Sequence, residues 1–322
     1  MIKGKKGIIE IKNEKGSITV FVLVTMLFLV TVLFLSYMGM SNKVINTEKQ
    51  VNKIQEEYSS KDENKFDEEY EKAANTTKSY LGTTKSYVGY YADIDADGKV
   101  DGVIYADLAK GDNVEKKWNN NSDSKYTIPT VTEGLKDYYI SKTNYKANEG
   151  FGTKDVISPT GTGKDRFYIM ALTDIDGNRN GTYYDWYNAA YGQMSDYATT
   201  TSGDFGKGKS NTTTMISKWN EKAYGDQDKC SNHKDMWGQI QKEVKNGWFV
   251  PSRAEWAAFG GELGISKDSS NEKYYRNFGI SDYYWSSSQY DANWAWNTLF
   301  GFGHVNRNKV NNHDFVRLSA TF

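Results

Sequence analysis

The longest apolar stretch of the chain is residues 17–40, which contain no charged side chain. The sixteen residues before this stretch contain five lysines against two glutamates. A helix rises about 1.5 Å per residue, so this run is long enough to cross the roughly 30 Å hydrocarbon layer of a membrane. Basic residues stay preferentially on the cytoplasmic side. The pattern predicts a basic leader at 1–16, a transmembrane helix at 17–40 and an extracellular remainder.

A charged segment with helical periodicity follows the apolar run. Residues 41–82 contain many lysines and acids, yet apolar residues recur among them at roughly helical spacing. Such spacing is typical of a helix with one apolar stripe. We expect a charged helical stalk that continues the membrane helix. Its predicted stripe consists of Val44, Ile45, Val51, Ile54 and Tyr58.

Residues 83–322 show short runs separated by turn-forming residues, with helical stripes between them. Residues 86–109 alternate apolar and polar positions around an Asp/Gly turn, which predicts a β-hairpin. Ser252 and Glu255 have the spacing of a capping box at a helix start. The predicted fold class is α+β, a long N-terminal hydrophobic helix followed by a mixed α/β domain. The helical stripes are Trp237, Ile240 and Val244, and Trp256, Phe259 and Leu263.

The composition of the chain excludes several classes of protein. The 322 residues carry 40 basic and 41 acidic side chains, for a net charge of −1, and both signs are spread along the chain. Because no basic field exists to collect phosphates, we expect no nucleic acid partner. The single cysteine, Cys230, excludes an internal disulfide. A chain with 15% aromatic residues and only three prolines is predicted to be folded rather than disordered.

Candidate motifs for catalysis fail on residue type. Residues 158–167 contain a Gly-Lys pair, but Ser158 stands where a phosphate loop needs its first glycine. Asp165 stands where the magnesium-binding serine or threonine belongs. Cys230 and His233 have a metal-like spacing without a second pair. The sequence therefore names no catalytic residue, and we expect a protein that is not an enzyme.

An acidic turn within the predicted hairpin has the early spacing of a calcium loop. Oxygen-bearing side chains at alternate positions converge on the cation in such a loop, and Gly98 suits the sharp bend. The twelfth position is Ile104, where the loop needs a bidentate acid. Calcium is the only cofactor that the sequence suggests, and a polar turn without a cation is the alternative. The candidate ligands are Asp93, Asp95, Asp97 and Asp101.

The N-terminal segments together resemble type IV pilin-like proteins, including the tight-adherence pilus class. The basic leader ends at Gly16, and the uncharged helix begins directly after it at Ser17. The resemblance implies cleavage between these two residues, contact with other pilin subunits, and a bacterial cell-surface location, membrane-anchored or pilus-associated. Phe21 stands where many such pilins carry a glutamate. A plain signal anchor is the alternative.

Three motifs follow one another towards the C-terminus, namely GWFVPSRAEW, YYWSSS and FVRLSATF. They resemble the C-type-lectin-like fold shared by formylglycine-generating-enzyme-like domains and by the variable proteins of diversity-generating retroelements. The resemblance implies a C-type-lectin-like domain at 83–322, with a segment at 285–322 that is diversified at asparagine codons. The fixed residues that it implies beneath this segment include Trp285, Ser286, Trp296, Val316 and Leu318.

A diversified segment of this kind implies a ligand-binding face, and tyrosine, asparagine and glycine suit recognition surfaces. The expected ligand is a protein or glycan on another cell, a phage or a host. A structural minor pilin without diversification and a degenerate enzyme of the formylglycine-generating type are the alternatives. The candidate ligand-binding residues are Tyr290, Asp291, Asn293, Trp294, Asn297, Leu299, Phe302, His304, Asn306, Arg307, Asn308, Asn311, Asn312, His313 and Asp314.

Overall fold

The structure is a computed structural model, and it describes residues 79–176, 183–187, 194–196, 200–224, 235–266 and 274–322. The chain divides into two compact units, Met1–Thr77 and Lys78–Phe322, and every described residue belongs to the second. The predicted leader with its cleavage site, the transmembrane helix, and the stalk up to residue 78 lie outside the described residues. None of the helices in the described ranges combines the length and apolar composition needed to cross a membrane.

The described part of the chain contains strands before residue 186 and after residue 282, with its α-helices between them. The strands are β1 (Tyr91–Ala92), β2 (Gly102–Asp107), β3 (Lys116–Lys117), β4 (Lys125–Tyr126), β5 (Asp137–Tyr145), β6 (Lys154–Thr160), β7 (Phe167–Ala171), β8 (Tyr184–Asp185), β9 (Tyr283–Asp291), β10 (Trp294–Leu299), β11 (His304–Lys309), β12 (His313–Asp314) and β13 (Ser319–Thr321). The α-helices are α1 (Gly208–Asn220), α2 (Met236–Gln239), α3 (Gln241–Lys245) and α4 (Arg253–Glu262). Short 3-10 turns lie at Leu108–Lys110, Trp118–Asn120 and Tyr274–Phe278.

A six-stranded sheet forms the centre of the domain, in the order β13-β7-β2-β1-β6-β5. All six residues of β2 are buried. A continuous run of buried residues indicates a strand that is covered on both faces. The predicted hairpin is confirmed, because β1 and β2 pair antiparallel with Tyr91 opposite Val103. β1 also pairs with β6 in parallel, so the sheet is mixed.

Helix α4 contacts both large sheets of the domain. The predicted capping box at its start is confirmed: the Ser252 hydroxyl accepts from the Glu255 N–H, and the Glu255 carboxylate accepts from the Ser252 N–H. Trp256 stacks on Tyr284 of β9, with 5.0 Å between the ring centroids. Residues of α4, β2 and β9 belong to one hydrophobic cluster. This helix therefore holds β9 and its neighbours against the central sheet.

The predicted fold class, α+β with a C-type-lectin-like mixed α/β domain, is wrong for the part of the chain that the structure describes, whereas the long N-terminal hydrophobic helix of the same prediction lies outside it. The described residues are β-rich, and the longest of their four α-helices has 13 residues. The helix predicted around Trp237 breaks at Ile240 into the short helices α2 and α3. Strands β5 and β11 carry polar side chains at most positions, many of them exposed. No apolar alternation marks such strands in the sequence.

Candidate ligand-binding face

The segment predicted to bind a ligand folds mainly as the three-stranded antiparallel sheet β9–β10–β11, with β10 in the centre. Trp296 lies opposite Arg307, and Asn297 lies opposite Asn306. Successive side chains of a strand point to opposite faces. Trp294 and Trp296 therefore share one face, which we call the outer face. Asn297 lies on the other, which we call the inner face.

The outer face carries a stack of aromatic rings and a guanidinium group. We call Tyr290, Trp296 and Arg307 the aromatic ladder. The Arg307 guanidinium carbon lies 4.4 Å from the Tyr290 ring centroid and 5.5 Å from the Trp296 ring centroid. The two rings meet edge to face at 5.4 Å, and the Arg253 guanidinium of α4 lies 5.1 Å from the Trp296 centroid. Cation–π contacts at these distances are attractive, so the ladder is packed in place on the sheet.

The inner face carries a buried network of amides and one carboxylate. Asn297 Nδ2 donates to Asp314 Oδ2 at 2.8 Å, and Asn308 Nδ2 donates to Asp314 Oδ1 at 3.3 Å. Asn312 Nδ2 donates in turn to Asn308 Oδ1 at 2.5 Å. Asn297 and Asp314 are only 3% and 2% exposed. The structure therefore places these two predicted ligand residues beneath the surface, where they tie β10 to β12.

Burial makes the Asp314 carboxylate a source of pH dependence. Lost solvation raises the pKa of Asp314 from 3.8 to about 6, against the opposing hydrogen bonds from Asn297 and Asn308. A raised pKa adds stability below pH 3.8, and that contribution is lost as pH rises through 6. A shift of roughly two pKa units corresponds to about 3 kcal/mol. We expect the free energy of unfolding to fall by about 2 kcal/mol, relative to that of Asp314→Asn, between about pH 4 and about pH 7.

Urea unfolding of both proteins, followed by circular dichroism at the two pH values, measures this difference. Other titrating groups contribute the same pH dependence to both proteins, so their contribution cancels in the difference. Glu255 is one such group, because burial raises its pKa to about 7. The asparagine amide retains one acceptor for Asn297 Nδ2, so the variant is expected to fold. A pH-independent difference between the two proteins would show that Asp314 keeps its ordinary pKa.

The other candidates lie towards the margins of the sheet. Phe302 is 55% exposed and meets His304 edge to face near the β10–β11 turn, with 6.1 Å between centroids. His313 Nδ1 lies 2.5 Å from Asp185 Oδ1 of β8. The structure thus separates the predicted set into the ladder, the buried network and these margins. The remaining candidates, all half-buried or exposed, are Asp291, Asn293, Trp294, Leu299, Asn306 and Asn311.

The support residues implied by the sequence resemblance are mostly confirmed as buried. Trp285, Ser286, Val316 and Leu318 are each at most 4% exposed. Trp296 differs, because it is half-buried on the outer face and belongs to the ladder. No local signal indicated this exposure of Trp296, since the phase of β10 depends on register shifts in its pairing with β9.

A cleft at the other end of β9 was not predicted from the sequence. Its volume is about 900 Å³. Tyr283 is 37% exposed at its edge, and Tyr183 packs against Phe315 with 4.4 Å between the ring centroids. Tyr145 and Tyr275 also line it. These five rings come from distant parts of the sequence, so no local spacing could have joined them.

The structure brings together three of the four candidate calcium ligands. Single carboxylate oxygens of Asp93, Asp95 and Asp101 all lie within 4.8 Å of one another. Asp97 instead forms an ion pair, with its Oδ2 2.7 Å from Lys99 Nζ. Burial raises the pKa of Asp93 and of Asp101, and the charge of Asp95 adds to this effect. Calcium binding stays a prediction, now limited to three carboxylates.

No family model, no curated protein and no solved structure matches this chain. The resemblances to pilin-like proteins and to variable proteins therefore stay predictions. Cys230 and His233, the pair with metal-like spacing, lie outside the described residues. The functional interpretation rests on the geometry of the chain itself.

Proposed function

We propose that this protein binds a ligand through the outer face of the sheet β9–β11, with the aromatic ladder at the centre of the contact. The observation that carries the proposal is the packed stack of Tyr290, Arg307 and Trp296, whose side chains remain partly accessible. Tryptophan, tyrosine and arginine are the residue types that dominate binding energy at protein interfaces. Such a stack supports recognition rather than catalysis.

The support behind the ladder also favours binding. Residues of β9 from Tyr284 to Gln289 are all buried. Trp186 Nε1 donates to the Ser286 carbonyl at 2.7 Å, and Ser286 Oγ donates to the Trp296 carbonyl at 2.8 Å. A group that is already held in place loses less conformational freedom when a ligand binds. The outer face is therefore suited to bind without rearrangement.

The proposed ligand is a protein or glycan on another cell, a phage or a host, and the proposed location is the bacterial cell surface. The uncharged run at 17–40 after a lysine-rich leader supports this location. We also propose that residues of the segment 285–322 vary between sister cells. Sequencing the 3′ end of the gene from many cells is expected to show substitutions at asparagine codons and a nearby near-copy. An invariant 3′ end would remove the diversification and leave the binding face.

Substitutions in the ladder test the binding face. Full-length protein in detergent is applied to a glycan array and to immobilised intact bacterial cells, and a probe that binds is titrated against Tyr290→Ala and Arg307→Ala. Loss of a central contact costs about 2 kcal/mol. The Kd of each variant is therefore expected to rise roughly 30-fold.

Tyr80→Ala is the matched control for these variants. Tyr80 is 62% exposed and bridges to Tyr139 of β5, in the six-stranded sheet. Its removal is expected to leave the Kd unchanged. Unchanged binding by both ladder variants, or an equal loss in the Tyr80 variant, would contradict the proposed face.

A further inference from the structure

A second, smaller cavity lies between the segment after β7 and helix α3, and two acidic side chains line it. Its volume is about 180 Å³, and Asp174 and Glu243 both contribute to its wall. Asp174 Oδ1 accepts from Arg317 Nε at 2.8 Å and from the Tyr284 hydroxyl at 3.0 Å. Both donors thus lie on the same oxygen of this carboxylate. The other oxygen, Oδ2, is left for a different partner.

Two carboxylate oxygens at this cavity lack a hydrogen-bond donor. Asp174 Oδ2 and Glu243 Oε2 are both buried, and no donor among the described residues reaches either. The Asp174 side chain is only 2% exposed. Buried acceptors are nearly always paired in folded proteins, because an unpaired one costs free energy. Two such oxygens at one cavity therefore indicate a ligand that donates hydrogen bonds.

The charges around the cavity favour a monovalent cation as the ligand. Arg317 is buried and is held by Asp174 and by the Gly279 carbonyl at 2.8 Å, so its charge offsets that of Asp174. Glu243 then leaves one negative charge at the cavity wall. Lys242 and Lys245 flank it on α3, but neither is among the described residues that line the cavity. Buried charges are stable when they are paired.

The chemistry of the wall favours an organic cation over a calcium ion. Calcium takes six to eight oxygen ligands, whereas the described side chains of this wall that carry oxygen are Asp174, Glu243 and Thr173. Much of the remaining wall is apolar, with Ile175 and Leu318 beside the indole of Trp248. An ammonium group donates three hydrogen bonds, and an aromatic ring attracts a cation.

We propose that this cavity binds a primary alkylammonium group, supplied by a free alkylamine or by the side chain of a lysine. The ammonium donates to Asp174 Oδ2 and Glu243 Oε2. The alkyl chain contacts the apolar wall, whose burial favours binding. This cavity is distinct from the outer face of the sheet β9–β11, and its ligand is independent of the function proposed there.

Calorimetric titration of the full-length protein in an amine-free buffer tests the proposal. n-Pentylamine at neutral pH is compared with 1-pentanol, which has the same chain length without the charge. We expect pentylamine to bind at least about tenfold more tightly than pentanol. Nα-acetyl-lysine methylamide then distinguishes the two sources of the ammonium group. A cavity that takes free alkylamines rejects this compound because of its bulky backbone, whereas a cavity that takes a lysine side chain binds it.

Glu243→Gln is the variant that tests the carboxylate, and it is expected to weaken pentylamine binding at least about tenfold. Glu133→Gln is its matched control, because it makes the same charge change at an exposed position outside the cavity. Asp174→Asn is avoided, since it removes the buried partner of Arg317.

Equal binding of pentanol and pentylamine by the wild-type protein would overturn the proposal without any variant. Full pentylamine affinity in Glu243→Gln would overturn it as well. Displacement of pentylamine by Ca²⁺ at low concentration would replace the ammonium site with a metal site.

Discussion

Asp107→Ala is expected to lower the free energy of unfolding by about 3–5 kcal/mol, because it leaves the buried cation Arg166 without its partner. The two side chains are 0% and 2% exposed, and they form two parallel hydrogen bonds of 2.8 Å. Asp107 also accepts from the N–H groups of Tyr87 and Ala109. The substitution therefore removes one charge and leaves several buried donors unpaired.

Chemical denaturation followed by circular dichroism measures the loss. Glu149→Ala is the control, because its ion pair with Lys146 lies at the surface, with side chains 80% and 43% exposed. Exposed ion pairs contribute about 0–1 kcal/mol. A loss below about 1 kcal/mol in Asp107→Ala would show that Arg166 finds water or another acceptor after the substitution.

Patterns between near neighbours in the sequence predicted local structure well. The capping box of Ser252 and Glu255 forms as its spacing indicates. The hairpin of β1 and β2 forms around its Asp/Gly turn. In each case the interacting groups belong to one short continuous stretch of the chain, so the local sequence pattern indicates the geometry.

Charged pairs across the fold could not be predicted. Asp107 and Arg166 are 59 residues apart, and Asp174 and Arg317 are 143 residues apart. Acids and bases are usually exposed, and nothing in the local sequence distinguishes those that will be buried together. Glu255 illustrates the limit, because its capping role was predicted whereas its contacts with the N–H groups of Gly206 and Gly208 were not.

Only part of the exposure of the candidate ligand residues could be predicted from the sequence. Asn297 and Asp314 were interpreted as ligand contacts because both lie in the segment that the resemblance implies is diversified. In the structure both are buried beneath the sheet, where Asn297 Nδ2 donates to Asp314 Oδ2. For Asn297 the distinction depends on which face of β10 it occupies, and a shift of one residue reverses that assignment.

Trp285→Ala is expected to destabilise the domain by about 3–5 kcal/mol. Trp285 is fully buried in the middle of the strand that leads to the ladder. Its indole Nε1 donates to the Tyr184 carbonyl at 2.6 Å, and its own carbonyl accepts from Trp256 Nε1 at 3.0 Å. Alanine would leave a cavity between β9 and its support and would remove the indole donor from the Tyr184 carbonyl.

Trp294→Ala measures how much of this loss is due to burial, because it removes the same type of side chain from a half-buried position on the same sheet. Its loss of stability in urea unfolding is expected to be less than half that of Trp285→Ala. The loss of stability in Trp285→Phe is expected to lie between the losses in these two variants, since phenylalanine refills part of the cavity but provides no donor for the Tyr184 carbonyl. If Trp285→Ala and Trp294→Ala destabilise the domain equally, Trp285 is not the support on which the ladder depends. The ladder would then have to be held mainly by α4, through Arg253.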